Sequence, residues 1–516
     1  MNINDLLIGV EIIEDKELRA NIQVEGIAFD SRKVQKGDVY VAIKGYITDG
    51  HMYIPQAMEK GAVAVIVEYF TEDDIPQIKV KNSRIALSQI SANYFLHPSK
   101  KMKVIGITST NGKTTTTFIL DSIFQKAGYK TGVIGSVVNK TGDCVQIADL
   151  TTPESYDLQK LFKEMEQSSI QRVAMEVSSS ALELHRTNDI DFNIVSFNNF
   201  SREHIDQHGS FERYWEVKSS LIRDAKEGSI AVLNVDNLKV ASLVDDTKAH
   251  VVTFSITTKD GMIQCENINL VKGRASFEVN VKEDITLGNV EIPKGKFEIS
   301  LKIPGYHSVE NAMVGIVIAL VDGIDISLIK EALSEFRGVE RRFEYIYEDE
   351  YIIIDDHFAN VKNINSTLET IADMEKNKVH ILYAIRGNRG VTVNRENAEA
   401  LLYWKDKLDL KELVATRSIG SVTTKDTVKE SEEEELIKVI SNSQIKLIIF
   451  DTIKEAVEYT MKKMSKGDIL LLAGCQGMDH GAEEVLEFIS LNNPEINREK
   501  LFMPLKTRIT DTLYQL

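Results

Sequence analysis

Short apolar runs alternate with helical patterns along most of the chain. Residues 104–107 read as a buried strand, and residues 113–127 carry Ile119, Leu120, Ile123 and Phe124 on one helical face, with Gly128 placed to cap it. Further strands are expected at 131–135, 172–177, 194–197 and 230–235, which predicts a mainly parallel, doubly wound sheet. From about Val251 the period falls to two, through Phe277, Val279 and Val281 and then Phe297, Ile299, Leu301 and Ile303. That is a β-meander, followed by Pro304-Gly305 and a helix over 309–320. Upstream, a helix at 53–60 and a strand at 62–68 belong to a small α/β segment. Downstream, strands are expected at 351–355, 379–384, 445–450 and 469–473, with an amphipathic helix carrying Ile453, Ala456, Val457, Thr460, Met461 and Met464. The acidic run 430–435 reads as a solvated helix start.

Length and charge narrow the picture. A chain of 516 residues exceeds one core, and the pattern divides it at 1–97, 98–336 and 337–516. A net charge of −17 argues against nucleic-acid and anionic-membrane partners, so an anionic substrate must meet local basic residues. Three widely spaced cysteines suggest neither a metal site nor a disulfide framework. No apolar run reaches membrane-spanning length and the first residues are acidic, so a cytoplasmic location is expected; a monomer is expected as well.

The richest stretch is Val104-Ile-Gly-Ile-Thr-Ser-Thr-Asn-Gly-Lys-Thr-Thr-Thr-Thr117. A strand, a small-residue turn and a helix N-terminus form a phosphate cradle, because backbone N–H groups converge there and the helix dipole favours anions. Lys113 can reach the outer phosphates, and the Thr114 hydroxyl suits Mg²⁺. Ile107 stands where the standard pattern has its first glycine, and an ordinary strand-to-helix turn is the plain alternative. In doubly wound sheets ligands bind beyond the carboxyl ends of strands, where Glu176 and the segment 198–208 fall. Thr114, Glu176, His204 and Lys218 could thus converge on a triphosphate, with Asp206 and His208 as further candidate ligands.

In combination these residues resemble the Mur ligases, most closely the UDP-N-acetylmuramyl-tripeptide synthetases, over about residues 26–344. Asp30-Ser-Arg32, with Ser31 at its centre, and Asp49-Gly-His51 look like the family's uridine-nucleotide domain. Residues 108–116 resemble its ATP loop, which implies ATP contacts from Thr110, Asn111, Gly112, Lys113, Thr114 and Thr115. Thr151-Thr152-Pro-Glu154 and Met175-Glu-Val-Ser178-Ser179 resemble its muramyl-peptide and metal segments, and Arg186 is assigned to the same substrate. Ser180 replaces a usual His, and Ser201–Gly209 is close to the family's Thr-Arg-Asp-His-Leu-Asp-x-His-Gly. The resemblance further implies a carbamylated Lys218 as a metal ligand, Asn311 against adenine, and Arg342 and Asp355 toward ATP. The implied architecture is α/β: a UDP-sugar-binding N-terminal domain, a central P-loop domain with its β-meander, and a C-terminal Rossmann-like domain for the amine.

The C-terminal region departs from the family. Asp355-Asp-His-Phe-Ala-Asn360 stands where Asp-Tyr-Ala-His-x-Pro is usual, and Thr416–Ser421 occupies the place of the Asp-Asn-Pro-Arg of diaminopimelate-adding members. Gly474-Cys-Gln-Gly-Met-Asp479 replaces Gly-Lys-Gly-His-Glu. In exchange, Ile385–Asn394 places Arg386 and Arg389 between glycines, where they could grip a carboxylate or phosphate in bidentate fashion; a capped loop with solvated arginines fits equally. The expected activity is ATP- and Mg²⁺-dependent joining of an amine, an amino acid or other, to a UDP-muramyl peptide carboxylate. A Mur-like ligase outside wall synthesis, a folylpolyglutamate-synthetase-like ligase and a nucleotide-binding protein without ligase activity are the alternatives.

Overall fold

Strands buried on both faces organise this chain, as parallel sheets require. The computed structural model describes residues 1–18, 21–45, 48–201, 209–271, 274–506 and 508. His204, Asp206 and His208 lie outside the described residues. By their contacts the residues form two units: the first takes 1–263, 284–292 and 317–325, and the second takes 264–283, 293–316 and 326–516.

The first unit holds two sheets. In the smaller one the strands Gly26–Ala28, Asp38–Val41, Ala64–Val67 and Gln77–Val80 run parallel, and Ile12–Lys16 closes the edge antiparallel. Asp38–Val41 and Ala64–Val67 are buried at every position, so both faces are covered. In the larger sheet six parallel strands stand in the order His250–Ser255, Ile230–Asn234, Phe192–Phe197, Lys103–Thr108, Arg172–Glu176, Thr131–Ile134. The strand before the phosphate turn is therefore central, flanked by Arg172–Glu176 and Phe192–Phe197. At its opposite end the fully buried Asp322 takes Lys103 Nζ at 2.5 Å and Arg172 Nε at 2.7 Å, an ion triad that ties neighbouring strands.

In the second unit Arg274–Val281 pairs antiparallel with Gly295–Pro304, as the alternation predicts. A six-stranded sheet follows, ordered Glu344–Glu348, Ile352–Asp356, Ile469–Ala473, Val379–Ala384, Glu412–Thr416, Lys446–Phe450, parallel except at its first strand. The carboxyl ends of 379–384 and 469–473 lie side by side and open the crevice where such sheets take ligands.

Three differences from the sequence reading have local causes. His250–Ser255 is a parallel strand, not the start of the meander, because Val251 and Val252 merge in sequence with the alternating segment that follows. Val138–Thr141 and Cys144–Ile147 form an antiparallel hairpin so polar that no apolar run marks it. The acidic run does start a helix, Glu430–Ser441, but it is not solvated throughout: Glu432 is fully buried and Glu433 pairs with Arg417.

Candidate active site

The phosphate turn is built as its residue types require. Gly112 caps the helix Lys113–Lys126 from the left-handed region at φ +89°, open to glycine at little cost. Ser109 Oγ donates to the Asn111 carbonyl at 2.7 Å. The turn is held from the next strand as well: Thr110 N–H donates to the Asn199 carbonyl at 2.9 Å, and Asn111 N–H to Asn199 Oδ1 at 3.0 Å. Thr110 Oγ1 accepts the Ser201 N–H at 3.0 Å, and Thr115 lies half-buried in the first helical turn. Lys113 Nζ rests on the carbonyls of Ser109 and Thr110, at 2.8 and 3.2 Å.

Beside the turn stands Glu176, 1 % exposed at the carboxyl end of the adjacent strand. Its Oε2 accepts from Thr114 Oγ1 and Ser136 Oγ, both at 3.1 Å, and its Oε1 accepts the Ser136 N–H at 2.8 Å. A Cβ at Gly135 would stand 2.4 Å from Glu176 Oε1, so the bare backbone there makes room for the carboxylate. One carboxylate and two hydroxyls form an oxygen-only set, which suits a hard cation such as Mg²⁺ that is also held by substrate phosphates. Among the described residues no cluster of three or more His, Cys, Asp or Glu offers a second metal cage.

Lys218 lies in the helix Phe211–Arg223 and is 2 % exposed, which removes the reading of a surface lysine. Phe197 and Tyr214 face its ammonium, and Nζ donates to the Ser109 carbonyl that Lys113 also uses. The Lys113 and Lys218 amines thus meet at one peptide of the phosphate turn.

The residues assigned to the muramyl peptide also assemble. Thr151 Oγ1 stands 3.1 Å from Ser136 Oγ, and Thr152 Oγ1 donates to the Glu176 carbonyl at 2.8 Å while accepting the Ser178 N–H at 3.1 Å. Ser178 caps the short helix that begins at the buried Ser179. Arg186 donates to the Thr152 carbonyl at 3.0 Å and pairs with Glu154 at 2.7 Å, where Arg84 of the small sheet's helix also arrives, at 3.4 Å. Ser31 is buried and donates to Gln56 Oε1 at 2.6 Å. His51 accepts the Glu68 N–H on Nε2, at 2.9 Å, so its Nδ1 carries the proton shared with Asp49.

In the second unit Asn311 is buried in the helix Tyr306–Val321. Burial pushes the neighbouring His307 imidazole down to about 4, so it is neutral near pH 7. Sequence reasoning singled out Arg342, yet the buried anchor is Arg341. Its guanidinium donates to Asp355 Oδ1 at 3.2 Å, to the Cys475 carbonyl at 3.1 Å, and to the Gly474 carbonyl and Asp479. Asp355 also takes Arg508 at 2.6 Å, so both of its oxygens are engaged by arginines. Arg342 is only half-buried. Arg386 and Arg389 line a pocket with Gly387, Asp426, Cys475 and Gln476. Arg389 Nη2 meets Asp426 Oδ1 at 2.9 Å, and Arg386 donates to the Ala359 carbonyl, so neither guanidinium is simply solvated.

Residues 23–95 match the Mur ligase family catalytic domain, 107–319 the Mur ligase middle domain, and 341–476 the Mur ligase glutamate ligase domain. A UDP-N-acetylmuramoyl-L-alanyl-D-glutamate–2,6-diaminopimelate ligase of Clostridium tetani is 33% identical over 474 residues, 90% of this chain and 92% of the relative. The chain belongs to the Mur ligase family. A Caldanaerobacter subterraneus subsp. tengcongensis ligase of the same description is also 33% identical, covering 92% of this chain and 94% of its own. Among solved Mur ligases, one described as that diaminopimelate ligase superposes with a TM-score of 0.67 at 20% identity, covering 96% of this chain and 99% of the other. The MurF ligase of Thermotoga maritima in complex with ADP gives 0.61 at 20% identity, with coverages of 92% and 98%. At such identities the superpositions establish the shared fold. Ser136, Asn199 and Arg341 went unassigned in the sequence: each is a common residue type whose part is set by what the fold brings beside it.

Proposed function

We propose that this Mur ligase is an ATP-dependent carboxylate–amine ligase that adds an amino acid to a UDP-N-acetylmuramyl peptide. The observation that carries the reading is the placement of Lys113, Thr114, Glu176 and Lys218 around one phosphate turn. Residues 1–97 would take the uridine nucleotide, 98–336 ATP and the muramyl peptide, and 337–516 the amine.

The reaction follows from charge and position. A carboxylate oxygen of the acceptor attacks the γ-phosphorus and ADP leaves, giving an acyl phosphate. The amine nitrogen then attacks the acyl carbon, the C–O bond to phosphate breaks, and the amine's proton goes to solvent or phosphate. Lys113, released from the carbonyls of Ser109 and Thr110, pairs with the phosphoryl oxygens as charge builds on them. The N–H groups at the start of Lys113–Lys126 hold the remaining phosphates. Thr114 and Glu176 would hold Mg²⁺, and a bound Mg²⁺ supplies neutralisation of phosphate charge. Thr152, Ser178 and Arg186 orient the acceptor, and Asn311 and Arg342 contribute to ATP binding. Catalysis here is mostly positioning and electrostatics. The test is phosphate release from ATP with UDP-muramyl-dipeptide and a panel of amines: release that needs all three components is expected, and release indifferent to acceptor and amine removes the reading.

Lys218 is proposed to act as its carbamate, which turns a cation into an oxygen ligand. Carbon-13 bicarbonate should yield a carbamate resonance in the wild type that Lys218→Ala lacks. Activity of that variant should drop at least about tenfold and recover in part with small carboxylates. Identical spectra for the two proteins would refute the modification.

A further inference from the structure

The turn that carries the two pocket arginines is held by Glu432, by Asn394 and by a close backbone approach at Gly387. After the strand Val379–Ala384 the chain turns through Asn388, at φ +55°, and Gly390, at φ +89°. This brings three successive N–H groups together on one buried carboxylate. Glu432 Oε1 accepts from Arg389 N–H at 2.8 Å and Gly390 N–H at 2.6 Å; Oε2 accepts from Asn388 N–H and Lys429 N–H, both at 2.9 Å. On the acceptor side the fully buried Asn394 donates to the carbonyls of Arg386 and Gly390, at 2.9 and 3.2 Å. Gly387 fixes the remaining edge: a Cβ there would stand 2.0 Å from the Asp426 carbonyl oxygen, so the two backbones touch.

We propose that Glu432 is the positioning residue of the amine site, setting the 386–390 turn so that Arg386 and Arg389 form the receptor for a carboxylate on the incoming amine. The assignment rests on the ligase reading above. Converging backbone N–H groups in a turn of this kind bind anions. Here an internal carboxylate fills the concavity, so a substrate anion is left to the guanidinium side chains, which offer bidentate geometry. Asp426 supplies the counter-charge on Arg389 that a substrate carboxylate would displace or share. Burial alone would raise the Glu432 carboxyl, but the four backbone donors outweigh it and hold the group below its usual range, charged at neutral pH. The substrate class that fits is an amine bearing a free carboxylate, an amino acid rather than a simple alkylamine.

The experiment compares the full-length wild type with Glu432→Ala and Glu432→Gln. Phosphate release is followed with UDP-muramyl-dipeptide and an equimolar pool of the common amino acids as the amine probe. For Glu432→Ala the half-saturating pool concentration should rise about tenfold, with saturating turnover and half-saturating ATP within about threefold of wild type. Glu432→Gln, which keeps one acceptor oxygen, should show a smaller rise, and it serves alone if the alanine variant does not fold. Ethylamine and other amines without a carboxylate should support little release in any of the proteins. An unchanged pool requirement, or an equal rise for ATP and pool, overturns the positioning role. A wild type that shows no release dependent on the pool or on added diaminopimelate defeats the ligase reading itself, a result separable from the other two.

Discussion

Replacing Lys113 with alanine is expected to lower turnover by on the order of 10³-fold while the protein stays folded. The side chain sits at the first turn of a helix whose interior is held by Ile119, Leu120, Ile123 and Phe124, and none of that packing depends on the ammonium. The bonds lost are those from Nζ to the carbonyls of Ser109 and Thr110, and the Ser109 carbonyl keeps its other donor, Lys218 Nζ. The folded state should therefore lose little, and circular dichroism and the melting temperature should stay close to wild type. The transition state loses more, because charge moves onto the phosphoryl oxygens and the remaining donors of the turn are uncharged N–H groups. A folded Lys113→Ala protein with near-normal turnover would show that the turn is not the phosphate site.

The second large effect concerns the amine. Diaminopimelate is the amine in the names of the Clostridium tetani and Caldanaerobacter relatives, yet in this chain we expect meso-diaminopimelate to be disfavoured by on the order of a hundredfold, about 3 kcal/mol. The Asp-Asn-Pro-Arg of diaminopimelate-adding members is absent, and the arginine in that region, Arg417, is already spoken for: Nε and Nη2 of its guanidinium pair with the two oxygens of Glu433, and Nη1 meets Asp451 at 2.7 Å. Where the family has Gly-Lys-Gly-His-Glu, the chain has a buried Cys475 and a Gly474 carbonyl occupied by Arg341. A distal charged centre would have to be buried against unmatched groups, which is the costly case. Competition between equal concentrations of diaminopimelate, lysine and a mixed amino-acid pool, with products weighed by mass, decides it. Diaminopimelate as the preferred product would contradict this account of the second unit.

The first unit was legible because its elements announce themselves. Residues 104–128 contain an apolar run, a glycine turn, a helical face and a capping glycine, and the structure sets Lys103–Thr108 and Lys113–Lys126 accordingly, with Gly128 at φ +84°. The residues around the turn were found from their motifs, whereas Ser136 and Asn199 were not, since a serine or an asparagine after a strand is ordinary until the sheet order places it beside the turn. The second unit was harder. Glu432 looked like one of several solvated acids, and only the fold shows three N–H groups of a distant turn closing on it. Glu412–Thr416 escaped notice because its apolar core is short and flanked by charged residues.

The central claim, that a carboxylate is activated by phosphorylation, is most directly tested with oxygen-18. UDP-muramyl-dipeptide labelled in its acceptor carboxylate is incubated with the wild type, ATP, Mg²⁺ and the amino-acid pool, and the released phosphate is weighed. An acyl phosphate intermediate must leave one carboxylate oxygen on phosphorus, so label is expected in the phosphate in step with product formed. Unlabelled phosphate alongside amide product would contradict the proposed mechanism.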